Sequence, residues 1–333
     1  MALPSFTKIY KKGGDTMPER SKRICFYDDE KLKAINPENL ALWKKYKVDM
    51  TLRDLSQNTI NSYENDLHQW FIYILDNQGN QKVTELTEDD ITEFLFYCKT
   101  QGNNTGRMKR RMSSIAAFYK FLRKKKLIIE NPTEFLDRPK HGLPIIQQTF
   151  LTKEQVEQLR QKLTEYGNLQ IQTYVMFSLS TMARVNAVAH IRWDMIDFEN
   201  RVVSNVLEKE GKIVDLFFSE EVKDLLLRLQ TDRKEKGIDD LGWVFYTSRC
   251  DETKPVSKST LNDWCKLAGS LIGVETLHPH DFRHSAANLL KKAGMPLEDV
   301  ATLLNHIDTS TTVKHYLKPD TSRITDMKDK FNI

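Results

Sequence analysis

HPHDFRHSAANLLKKAGMPLEDVATLLNHIDTSTTVKHY, residues 278–316, concentrates the chemistry of this 333-residue chain. His280 and Arg283 stand at i and i+3, so on a helix they share one face. His306 follows in LLNHIDTSTT, and Tyr316 closes the stretch. A second arginine, Arg184, lies far upstream in STMARVNAV, residues 180–188.

Two arginines, two histidines and a late tyrosine are the parts needed to break a phosphodiester without a metal. A nucleophile attacks phosphorus, charge on the non-bridging oxygens is held, and the leaving oxygen takes a proton. Arginine suits the second task, because its planar fork donates bidentately and keeps its charge. Histidine donates to an oxygen or moves a proton near neutral pH. Tyrosine, with a pKa of about 10, is a weak nucleophile until cations surround it. Metal binding is the competing reading for His280 and His284, which stand at i and i+4. Asp281 follows the first histidine where a zincin motif needs Glu, and no third ligand is evident, so no metal and no other cofactor is expected.

Working outward, residues 150–333 read as one mainly helical domain with a small sheet. Thr152 opens a helix with Gln155 three residues on, a capping box. Helices are expected over 153–166, 169–182, 219–235 and 257–271. Between them Met195–Phe198, Arg201–Val206 and Lys212–Phe218 are short, rich in Val, Ile and Phe, and separated by polar turns, which predicts an antiparallel sheet. Trp243–Tyr246 is a further candidate strand. Beyond Tyr316, Leu317, Ile324, Met327 and Phe331 form an amphipathic stripe.

Upstream, DRPKHGLPIIQQT carries two prolines and a glycine, so residues 138–149 read as a linker. Residues 37–137 give four helical patterns: a short one from Glu38, then 57–76, 88–98 behind the N-cap Thr87, and 105–125. Residues 1–36 show no sustained period and read as an arm.

Net charge is +4, but it is unevenly spread. Residues 1–140 hold 25 Lys+Arg against 19 Asp+Glu, and the remainder 25 against 27. Nine of those basic residues and no acidic one fall between Arg107 and Lys126. A solvated helix face usually mixes both signs, so this stretch points to a polyanion. Arg107, Arg110, Arg111, Arg123 and Lys124 are its candidate DNA contacts. No apolar run approaches the roughly 20 residues of a membrane helix. The first residues, MALPSFTKIYKKGGDTMPERSKR, lack the apolar core of a secretory signal. Cys25, Cys98, Cys250 and Cys265 form no CxxC pair, which fits a reducing compartment, and a cytoplasmic location is expected.

The ordered set Arg184, a lysine, His280, Arg283, His306, Tyr316 resembles the tyrosine recombinase (phage integrase) family. QNTINSYENDLHQWF, LTEDDITEFL and ENPTEFL, within 57–136, are similar to that family's core-binding domain. The resemblance implies a two-domain architecture, with a four-helix SAM-like DNA-binding domain before a catalytic domain. It implies strand cleavage through a 3′-phosphotyrosine on Tyr316, with Arg184 and Arg283 on the phosphate and His280 and His306 positioning and balancing charge. The family's general acid is a lysine on a β-hairpin. Lys209 fits the turn of LEKEGK better, and Lys212 is the alternative. The implied partners are specific double-stranded DNA sites and further copies of the chain, a tetramer on paired sites with the tail docked on a neighbour. The implied role is integration or excision of a mobile element or phage.

Two departures keep a second class open. Met182 stands where the family's TGxR has glycine, and Ala187 where an acid helps to orient the arginines. A DNA-binding regulator that keeps the fold without cleavage is the alternative.

Overall fold

The computed structural model describes residues 28–138, 149–208 and 211–305. The chain divides into two compact units, residues 1–147 and 148–333.

In the first unit, α1 (Asp29–Ala34), α2 (Pro37–Leu52), α3 (Gln57–Asn77), α4 (Glu88–Thr100) and α5 (Thr105–Lys124) enclose one core. Each start has a local cause. Asn36 accepts from Glu38 N ahead of Pro37, Ser56 accepts from Thr59 N, and Thr87 and Asp90 make a reciprocal capping box. One face of α3 is apolar: Ile60, Leu67, Trp70, Phe71 and Ile74 are buried, Tyr63 is half-buried, and they share a core with Phe94, Ile115, Phe118 and Tyr119 from α4 and α5. Polar staples fix the chain between α3 and α4. Buried Asn39 donates to Gln81 O at 3.0 Å and accepts from Val83 N at 2.9 Å, and Tyr119 Oη donates to Val83 O at 2.8 Å. The expected arm ends sooner than its length of 36 residues suggested. Asp28 caps α1, and Ile35 is buried in the core.

The second unit is built on α7 (Leu169–Thr181), a helix buried on nearly every face. Around it stand α6 (Lys153–Tyr166), α9 (Glu220–Glu235), α10 (Lys258–Leu271) and α11 (Pro279–Lys292), with the short α8 (Val185–Ala189) and α12 (Leu297–Leu303). Three antiparallel strands, β1 (Ile196–Asp197), β2 (Val202–Leu207) and β3 (Ile213–Phe217), run in the order β1-β2-β3. Trp243–Tyr246 is not a strand: it makes a lone antiparallel bridge, Arg192 to Trp243, and Val244 N donates to Ile191 O at 3.0 Å. Ser285 on α11 accepts from Leu151 N at 2.8 Å, which ties the start of the unit to the helix that carries His280 and Arg283.

One irregularity in the sheet matters for the site. The register between β2 and β3 shifts between Val203 and Val206, where Asn205 takes a left-handed conformation with φ 60°. A strand with strict alternation would point Val203, Asn205 and Leu207 inward. The bulge resets the phase, so Val203, Val206 and Glu208 are buried and Leu207 is exposed. Asparagine tolerates that backbone better than a branched residue does.

Candidate active site

Arg184 sits at the N-terminal boundary of α8, directly after α7 ends. That ending is unusual. Met182 is the C-cap of α7 with φ 52°, a left-handed conformation that favours glycine. The strain of a non-glycine residue there is on the order of 1–3 kcal/mol. Packing offsets it, because the Met182 side chain is buried against Ala286 and Ala287 of α11 and Val300 and Leu304 around α12. The first departure from the family pattern is therefore accommodated by the core.

Arg283 is 1% exposed and acts as a hub. Its Nη1 donates to Met182 O at 2.6 Å and its Nη2 donates to Leu304 O. One side chain thus fastens the end of α7 and the end of α12 to α11. Its Nη1 also stands 4.0 Å from Glu208 Oε1.

Glu208 is the residue that the sequence reading missed. Its side chain is 1% exposed and forms an ion pair with Arg184 Nη1. Two arginines from separate elements therefore meet on one buried carboxylate. Arg184 keeps 28% of its side chain exposed while Glu208 is almost fully buried. Glu208 N donates to Lys212 O at 2.8 Å, which closes the hairpin turn. A Glu beside the candidate lysine was visible in LEKEGK, but strict strand alternation would have turned it outward.

His280 lies in the first turn of α11, with its ring centroid 6.2 Å from that of His284. Its pKa is lowered, first by the desolvation that surrounding protein imposes and then by the positive charges of Arg283 and Arg184. The residue as a whole is exposed, yet the imidazole is held toward its neutral form. Asp281, beside it, accepts from His278 N at 2.8 Å, and burial raises its carboxyl pKa.

Lys212 Nζ donates to Asn305 O at 3.0 Å, which places the start of β3 against the residue before His306. Lys209, His306 and Tyr316 lie outside the described residues, as does the tail beyond Tyr316. Of the six residues expected to act, the structure brings together Arg184, His280 and Arg283.

The basic helix divides its candidates. Arg111 is a correction: it is 1% exposed, donates to Asn103 at 2.9 Å and to Gln69 at 2.6 Å, and lies over the Phe94 ring. It braces the core and does not face DNA. Its place was readable, since it falls three residues after Met108 and four before Ile115 on the apolar stripe. Arg110 pairs with buried Asp66 at 2.6 Å, with its side chain 40% exposed. Arg123 pairs with Glu134 at 2.9 Å on the surface, and Lys124 is exposed.

Comparison with known proteins agrees with this arrangement. Residues 149–323 match the phage integrase family, and residues 45–126 match the phage integrase N-terminal SAM-like domain. The tyrosine recombinase XerC of Staphylococcus saprophyticus is 27% identical over 268 residues, spanning 79% of this chain and 87% of that protein. The tyrosine recombinase XerD of Oceanobacillus iheyensis is 26% identical over 294 residues, spanning 84% and 94%. Among solved structures, a lambda integrase dimer bound to a COC′ core site superposes with a TM-score of 0.63 at 16% identity, covering 83% of this chain and 76% of that one. The Tn1549 transposon integrase with circular intermediate DNA superposes at 0.64 with 18% identity, covering 87% and 98%. These two structures share the fold.

Proposed function

The chain belongs to the phage integrase family, and we propose that its site-specific recombinase chemistry runs through Tyr316. Tyr316 gives up its hydroxyl proton to water as its oxygen attacks the scissile phosphorus. The bond to the 5′ oxygen breaks, and Lys209 gives that oxygen its proton, leaving a 3′-phosphotyrosine and a free 5′-hydroxyl. Attack by the 5′-hydroxyl of a second strand reverses the step on a new partner. The covalent bond conserves the phosphodiester energy.

Arg184 and Arg283 carry the charge of the non-bridging oxygens. The observation that supports this most is their convergence on Glu208, with 28% of the Arg184 side chain exposed. Arg283 lies behind it, and its buried charge adds to the field at the same point. His280, held toward neutrality, donates one hydrogen bond without adding a third charge. His306 helps to position the phosphate and balance charge.

The DNA duplex is gripped by the first unit through the solvent side of α5, at Arg107, Arg110, Arg123 and Lys124. Exchange between two duplexes requires cleavage of both strands at both sites, so the working assembly is a tetramer on paired sites. The tail after Tyr316 docks on a neighbouring copy and couples assembly to placement of the nucleophile.

The test is a duplex selected for tight binding from a random pool and nicked so that the cleaved end diffuses away. The wild-type chain should form an adduct that survives SDS, and Tyr316→Phe should form none while binding the duplex as tightly. A chain that binds tightly and forms no adduct would be a regulator.

A further inference from the structure

The resemblance expects an acid at position 187, and Ala187 offers only a buried methyl. A guanidinium on an unbranched side chain rotates freely unless something holds it. We propose that Glu208 is the positioning residue for Arg184. This inference rests on the recombinase reading and adds a residue to it.

Three observations carry the assignment. The first is geometric. The Glu208 carboxylate pairs with Arg184 Nη1, and its other oxygen stands 4.0 Å from Arg283 Nη1. The second is exposure. The carboxylate is 1% exposed and Arg184 28%, so the pair is layered, with the acid beneath and the guanidinium above. A carboxylate that merely occupied the phosphate's place would sit on the open edge of Arg184. The third is the backbone. The bulge at Asn205 breaks the alternation of β2 and turns Glu208 inward, and bulges that re-aim a side chain occur next to active sites. The bulge leaves Leu207 exposed, an exchange that burial of apolar surface alone would oppose.

Glu208→Gln keeps the shape and removes the charge. Misplacement of a clamp by about 1 Å costs on the order of a hundredfold in rate. Adduct formation by E208Q on the nicked duplex should therefore slow by roughly tenfold to a hundredfold under single-turnover conditions. Binding of the duplex should stay within a few-fold of wild type. A duplex with a 5′-thiol leaving group needs no general acid, so it should rescue Lys209→Ala and leave E208Q slow. Glu208→Asp keeps the charge on a shorter stem and should retain more activity than E208Q, which separates charge from shape if either variant is less stable. E208Q cleaving as fast as wild type, or faster, overturns the assignment and leaves the recombinase reading standing. Full rescue of E208Q by the 5′-thiol also overturns it, because Glu208 would then act through the lysine. A wild-type chain that forms no adduct overturns both readings.

Discussion

Arg111 and Arg184 show how one residue type serves two ends in the two units of this chain. Each is held by polar partners that are themselves buried. Arg111 lies at 1% exposure among Gln69, Asn103 and the Phe94 ring, and its charge is spent on the core. Arg184 is anchored at one edge by Glu208 and keeps 28% of its side chain in solvent. The distinction is which edge of the guanidinium is left over. Its five donors lie in a fixed plane, so a partner on one edge aims the other. Arg111 uses its donors inside the core, whereas Arg184 keeps part of its side chain in solvent.

The sharpest way to break this comparison is to remove each arginine and ask which property falls. Arg184→Ala and Arg283→Ala should each slow adduct formation by about 10²–10³-fold, the scale of losing a preorganised charge at a transition state. Arg283→Ala should also destabilise the unit, because the carbonyls of Met182 and Leu304 lose their donor. Unchanged cleavage rates in both variants would remove the clamp from the account.

The lysines come next. Lys209→Ala should slow cleavage by about 10²-fold or more, and a 5′-thiol leaving group should restore it. Lys212, engaged with Asn305 O, should cost less and act by loosening the segment before His306. Rescue of Lys212→Ala, with no rescue of Lys209→Ala, would exchange their roles.

Arg111→Ala should leave the cleavage rate intact below its melting temperature. It should lower stability by about 1–3 kcal/mol, since Gln69 and Asn103 are left without a donor in the core. Chemical denaturation measures this. A variant that binds DNA poorly at full stability would return Arg111 to the interface. By contrast, Lys124→Ala and Arg123→Ala should leave stability almost unchanged. Each should flatten the dependence of log affinity on log salt by about one unit.

The smallest effect concerns His280. Its folded-state pKa is lowered, so near and below the unfolded value of about 6.5 the unfolded chain holds more protons, and stability is lost as pH falls. His280→Gln should lose less stability than wild type between pH 7.5 and 5.5 in thermal melts. Part of the decline should remain, because half-buried His68 in the first unit is shifted in the same direction. An identical pH dependence in the variant would show that His280 is not desolvated.

Sequence and structure agree where period and capping act together. The helices from 57, 88, 105, 153, 169 and 258 each have a polar cap and an apolar face, and each begins within a residue or so of its expected place. Where they diverge, a local rule was overridden. The helix α1 is six residues long with nothing buried along it, so it offered no stripe to read. Trp243–Tyr246 had the composition of a strand but no neighbour to pair with beyond one bridge. Arg111 was misjudged because a count of charge ignores the face on which each charge falls. Glu208 was missed because one bulge inverts the inside and outside of everything after it. The arginines and histidine of the site were legible from spacing and resemblance. The carboxylate that holds them was not, since its position depends on a three-dimensional pairing.

The central claim is that Arg184 presents a fixed fork to a phosphate, and Arg184→Lys tests it most directly. Lysine keeps the charge and loses the planar pair of donors. Single-turnover adduct formation and duplex affinity are measured side by side on the same nicked DNA. The account predicts cleavage slower by about a hundredfold or more, with affinity within a few-fold of wild type. Cleavage at the wild-type rate, or a loss of affinity as large as the loss of rate, would contradict it.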